Sequence, residues 1–131
     1  MVTVALRKER KVDYKNQIFN MDCIAGMTLL PDGCVDMVLT DLPYGMTDCR
    51  WDSIIPFELL WKQLERVTKP DGAMVFTASQ PFTTKLIGSN QKNFRYCWYW
   101  VKNMVTGFPF AKFQPLRCVE DIVVFYRKKP T

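Results

Sequence analysis

Between residues 34 and 79 the chain reads "CVDMVLTD", then "PFELLWKQLERVTKPDG" at 56–72, then "AMVFTAS". The outer two runs are apolar and β-branched enough for buried strands. The middle one carries Phe57, Leu60, Trp61, Leu64 and Val67 at helical spacing, with Pro56 suited to a first turn. Upstream, "QIFNMD" (17–22) predicts a strand and "CIAGMTLLPDG" a short helix ended by Pro31 and Gly33. Downstream, "QPFTTKLIGSN" (80–90) reads as helix. Strand and helix in alternation imply parallel strands joined by right-handed crossovers, hence an α/β sheet. The last third changes character: "FRYCWYWVK" (94–102) and "EDIVVFYRK" (120–128) are aromatic and β-branched and predict an antiparallel C-terminal edge.

A chain of 131 residues, 48% hydrophobic and 14% aromatic, suits one folded domain, which we place at 17–131 behind a basic arm at 1–16. Lys and Arg outnumber Asp and Glu by 18 to 13, and bases cluster in "RKERK" at 7–11 and "RKKP" at 127–130. Such an excess fits a polyanionic partner or simply solvated tails. Five scattered cysteines, no C-x-x-C pair and no histidine suggest neither a zinc site nor a disulfide framework. They read as small apolar core residues in a reducing, cytoplasmic setting. No apolar run approaches the roughly 20 residues that span a bilayer, and the charged start is unlike a signal peptide, so no membrane partner is expected.

Ligands of open α/β sheets bind beyond the carboxyl ends of the strands. At the end of the 34–41 run stands "DLPYG", Asp41 to Gly45. An acid, a proline without a backbone donor and an aromatic offer two acceptors and a flat stacking face, and the glycine lets backbone pass close by. Those parts suit the exocyclic amino group of a nucleobase. Its nitrogen is a poor nucleophile because the lone pair is delocalised into the ring. Accepting both N–H protons, on the Asp41 carboxylate and the Leu42 carbonyl, favours a more tetrahedral nitrogen, while Tyr44 stacks on a base turned out of the helix. The same four residues also suit an ordinary strand-to-loop turn.

"TDLPYG" resembles the acid-Pro-Pro-aromatic motif of the amino-methylating DNA methyltransferases (adenine-N6 and cytosine-N4), with Leu42 in place of the first proline. "FNMDCIAGMTLLPDGCVDMVLTDLPYG" is similar to the family's "GD…L…L…D-strand-DPPY" block, "KPDGAMVFTASQPF" to its next strand, "WYWVK" to its Trp-x-Lys segment and "EDIVVFYRK" to its final strand. The resemblance covers about residues 17–128. It implies a partial, Rossmann-like methyltransferase sheet using S-adenosylmethionine, with Asp41, Leu42, Pro43 and Tyr44 as the catalytic site. It further implies that Asp22 and the Cys23 backbone, with Asp41, meet the cofactor. Trp100 and Lys102 match the Trp-x-Lys and, with Lys112 and Arg117 of the aromatic loop 103–119, are candidate DNA contacts.

The bland readings stand beside these. Asp22 suits a helix cap, Lys102, Lys112 and Arg117 suit plain surface charge, and Trp98, Trp100, Phe125 and Tyr126 suit sheet core. In the family's permuted order a target-recognition region and a glycine-rich Phe-x-Gly-x-Gly block follow, and neither is present before Thr131, so an incomplete cofactor pocket is expected. Three functions follow: a DNA amino-methyltransferase of restriction-modification type, completed by a second chain or a homo-oligomer; an inactive phage or prophage relative that binds DNA or a protein; or a methyltransferase acting on protein or RNA.

Overall fold

The structure, a computed structural model, describes residues 13–130. The basic arm expected at 1–16 therefore lies outside the described residues except for its last four. The chain forms α1 (Cys23–Thr28), β1 (Val35–Asp41), α2 (Phe57–Val67), β2 (Thr68–Ala78), α3 (Phe82–Ser89), β3 (Phe94–Thr106), a 3₁₀ turn (Phe108–Phe110) and β4 (Arg117–Tyr126). The four strands lie in the order β1-β2-β4-β3. β1 and β2 are parallel and joined through α2, whereas β4 runs antiparallel to both β2 and β3. The α/β sheet with an antiparallel C-terminal part is thus present. The last strand lies inside it, and β3 rather than β4 forms the edge.

Several boundaries differ from expectation. The loop read at 103–119 is shorter, because β3 runs on to Thr106 and β4 begins at Arg117, which is therefore a strand residue. Residues 17–22 form no strand, and Ile18 stands in solvent; a short alternating run acquires a ladder only where a neighbour pairs with it. "KPDG" belongs to β2 rather than to the end of α2, because β2 starts at Thr68 and the register with β1 jumps from Val35↔Thr68 to Met37↔Ala73. Gly72 sits in that bulge: a Cβ there would lie 2.6 Å from the Asp36 carbonyl oxygen.

One face of the sheet is packed. Met74, Phe76 and Ala78 of β2 and Val123 and Phe125 of β4 meet Leu60, Trp61 and Leu64 of α2 and Phe82 and Leu86 of α3. Phe125 is the hub, with ring centroids of Trp61, Phe76 and Phe94 at 4.8, 5.5 and 5.8 Å. The Trp61 indole N–H is satisfied by Ser89 Oγ at 2.8 Å. The opposite face has no helix over it among the described residues, so Leu39 is 66% and Trp98 58% exposed. Trp98 and Trp100 are accordingly not core, contrary to the sequence reading, while Phe125 is.

This asymmetry is testable by equilibrium unfolding. Phe125→Ala is expected to remove about 3–5 kcal/mol of stability, whereas Leu39→Lys on the open face should change it by no more than about 0.5 kcal/mol.

Candidate active site

Parallel pairing sets Asp41, the last residue of β1, opposite Thr77 of β2. Thr77 donates its hydroxyl proton to Asp41 Oδ1 at 2.5 Å, and the Tyr44 hydroxyl donates to the same oxygen at 2.8 Å. Asp41 Oδ2 has no partner among the described residues and remains an open acceptor. The Tyr44 ring stacks on Phe82 with centroids 5.0 Å apart and planes 25° from parallel. Burial foremost, with the nearby Asp41 charge adding to it, pushes the Tyr44 phenol up to about 12, so it stays protonated and keeps donating. Leu42 turns its buried side chain into the core. Asp41, Leu42, Pro43 and Tyr44 then line one hollow of about 170 Å³ together with Met46, Thr47, Trp51 and Asp52.

Asp52 is the residue that sequence reasoning missed. It is 8% exposed. Its Oδ1 accepts the Gly45 N–H at 2.8 Å, and its Oδ2 accepts the Met46 N–H at 2.9 Å and both the N–H and the hydroxyl of Thr47 at 2.7 Å. These donors, the Thr47 hydroxyl foremost and then the Gly45 amide, hold the carboxyl down at about 2. Gly45 makes the turn possible: its φ is +66°, and a Cβ there would meet Ile54 Cγ1 at 2.9 Å.

The other expected residues are arranged unevenly. Lys102 and Arg117 line a second hollow of about 180 Å³ that also touches Tyr44, with Ser79 and Glu120. Lys102 pairs with Glu120 and lies 5.5 Å from the Trp100 ring centroid, and Arg117 Nη1 donates to Ser79 Oγ at 3.3 Å. Trp100 is exposed beside them. Lys112 is exposed on the loop after the 3₁₀ turn and lines neither hollow. Asp22 caps α1, accepting the Ala25 N–H at 2.9 Å. Asp22 and Cys23 line a separate, mostly apolar hollow of about 350 Å³ that shares no residue with the Asp41 hollow. Of the cysteines read as core, Cys97 packs against it but Cys23 and Cys49 are exposed. Burial first, and the Asp22 charge second, push the Cys23 thiol up. No helix among the described residues is long and apolar enough to cross a membrane.

No protein-family profile and no curated protein sequence matches the chain. Solved structures do match. PvuII DNA methyltransferase, which is cytosine-N4-specific, superposes with a TM-score of 0.64 at 14% identity, covering 85% of this chain and 49% of that one. A Thermus thermophilus protein assigned as a DNA modification methylase gives 0.58 at 17% identity, covering 84% and 51%. M1.HpyAVI in complex with SAM gives 0.54 at 18% identity, covering 82% and 51%. The chain has the fold of part of a DNA methyltransferase. It spans about half the length of these structures.

Linkage gives the Asp52 cluster a pH signature. Its carboxyl titrates at about 2 in the fold against an ordinary 3.8, so its stabilisation is complete above 3.8 and is lost as pH falls towards 2. Asp52→Asn should melt lower at neutral pH and lose that part of the acid dependence, read by thermal melts across the pH range.

Proposed function

We propose that this chain carries the catalytic part of an S-adenosylmethionine-dependent DNA methyltransferase acting on the exocyclic amino group of adenine (N6) or cytosine (N4). The observation that carries the reading is the hollow at the end of β1, where Asp41 and Tyr44 are hydrogen-bonded to one another beside Leu42 and Pro43. Asp41 Oδ2 and the Leu42 carbonyl are the acceptors for the two amino protons. Phe82 backs Tyr44 as a rigid platform for the base.

Asp22 and its surroundings suit the adenosyl end of the cofactor. One carboxylate oxygen caps α1 and the other has no partner among the described residues, and Asp22 lines its hollow with Phe19, Met21, Met27 and Leu30. When bound, the cofactor supplies a methyl group on a sulfonium leaving group. The amine held by Asp41 and Leu42 would take that methyl as the sulfur left as a neutral thioether, and the surplus amine proton would pass to solvent. The chain's task is therefore to hold and orient the amine, and no strong general base is required.

DNA is the substrate this reading implies, with Trp100, Lys102 and Arg117 beside the Tyr44 hollow and Lys112 further out on its loop. The sheet face left uncovered among the described residues and the match to about half of each solved structure fit a cofactor pocket completed by further polypeptide, whether more of the same protein, a second copy or another chain. They equally fit a non-catalytic relative that keeps only the binding surface. Transfer of a labelled methyl group from S-adenosylmethionine to mixed-sequence DNA decides between them. Activity is expected for the assembled protein, and Asp41→Ala should lower it roughly 100-fold or more with the cofactor affinity retained. Full activity in Asp41→Ala would refute the site.

A further inference from the structure

Of the chain's four tryptophans, Trp51 and Trp61 stand in opposite circumstances. Trp61 is 7% exposed and belongs to the core, whereas Trp51 is 73% exposed on the loop that follows Tyr44. Exposure alone does not set it apart, since Ile18 and Phe113 are more exposed still; its place in the wall of the Asp41 hollow does. Its backbone is firmly held. Gly45, Met46 and Thr47 are all tied to the carboxylate of Asp52, the residue next to Trp51, and the Asp52 N–H closes back on the Cys49 carbonyl at 2.9 Å. The segment from Gly45 to Asp52 is thus a closed cup, and Trp51 forms part of the wall of the hollow that Asp41, Pro43 and Tyr44 also line.

We propose that Trp51 contacts the substrate directly: its indole is the outer wall of the hollow and stacks on the planar base whose amino group Asp41 receives, with Asp52 fixing the cup that presents it. The inference rests on the reading of Asp41 and Tyr44 as a base-binding site and adds a second aromatic surface to it. The arrangement divides the work between two rings. Tyr44 is partly buried and stacked on Phe82, while Trp51 is exposed to solvent, where a base swung out of a nucleic acid strand arrives. Stacking of this kind tolerates any base, so Trp51 contributes affinity and leaves the choice of base to the hydrogen-bonding groups.

The test uses the full chain and a labelled mixed-sequence single-stranded oligonucleotide of about 12 nucleotides, with binding followed by fluorescence anisotropy. Trp51→Ala should weaken binding roughly 5- to 100-fold, and Trp51→Phe should bind like the native protein because a ring is kept. Trp98→Ala, which removes another exposed indole from the open sheet face, should have no effect. Trp51 is solvent-exposed, so the variants should melt like the parent, and a melt of each shows that the fold is intact. Oligonucleotide should also quench an emission component that is present in the native protein and missing from Trp51→Phe. Native-like binding by Trp51→Ala, or equal losses in Trp51→Ala, Trp51→Phe and Trp98→Ala, would overturn the stacking role and leave the Asp41 site standing. If the native protein neither binds the oligonucleotide nor transfers methyl, both readings fall together.

Discussion

The contact on which the site depends is the pairing of Asp41 with Thr77 across two parallel strands. In a parallel sheet the register of one pair fixes the whole ladder, so whatever aligns β1 with β2 also decides what stands beside the terminal carboxylate. Here the bulge at Asp36 and Gly72 sets that alignment at the far end of the strands. Its effect is felt at Asp41, where Thr77 occupies one carboxylate oxygen and Tyr44 joins it on the same atom. With both donors on Oδ1, the other oxygen is left outward. A slip of one residue would point Asp41 to the other face of the sheet and dissolve the cluster.

The open face of the sheet is the second constraint. Parallel strands ordinarily have both faces covered, since their apolar side chains alternate to both sides. In β1, Val38 packs towards the core while Met37 and Leu39 face solvent. The same is true of Trp98 on β3. The chain matches about half the length of the solved methyltransferases, and among the described residues its sheet has four strands with helices on one side only, a partial version of a layered α/β fold. Leu39 on this open face and Asp41 lie on the same side of β1, so the site borders the uncovered surface.

Much of this was legible in the sequence because it is encoded locally. β1, α2 and α3 each carry their own periodicity, and "DLPY" declares its chemistry through residue type and its place at a strand end. What escaped is what depends on partners. The insertion of β4 between β2 and β3 leaves no local mark, since the two strands would look the same in either order. "KPDG" resembles a loop and is drawn into β2 by the β1 bulge. Trp98 and Trp100 have the composition of core residues and are exposed only because no layer covers them among the described residues. Asp52 could not be told from Asp48, four residues before it, because its role lies in the three amide groups that converge on it. Four donors on one carboxylate, all from residues five to seven positions earlier, are a fact of loop geometry that composition does not display.

Charge at the site is arranged with more economy than the net excess of +5 suggests. Lys102, expected from the sequence as a contact for the nucleic acid, is half-buried and paired with Glu120, with the Trp100 ring nearby. A cation held in this way is not a free phosphate ligand: a phosphate would have to compete with Glu120, and the exchange would leave that carboxylate half-buried without its partner. Arg117 is differently placed, since its side chain is exposed and tied by a 3.3 Å bond to the neutral Ser79 hydroxyl, and it can turn to a phosphate at little cost. The two bases at one hollow thus have different roles within the proposed function. Lys102 with Glu120 would shape the wall against which a base rests, and Arg117 would supply the electrostatic attraction for the strand.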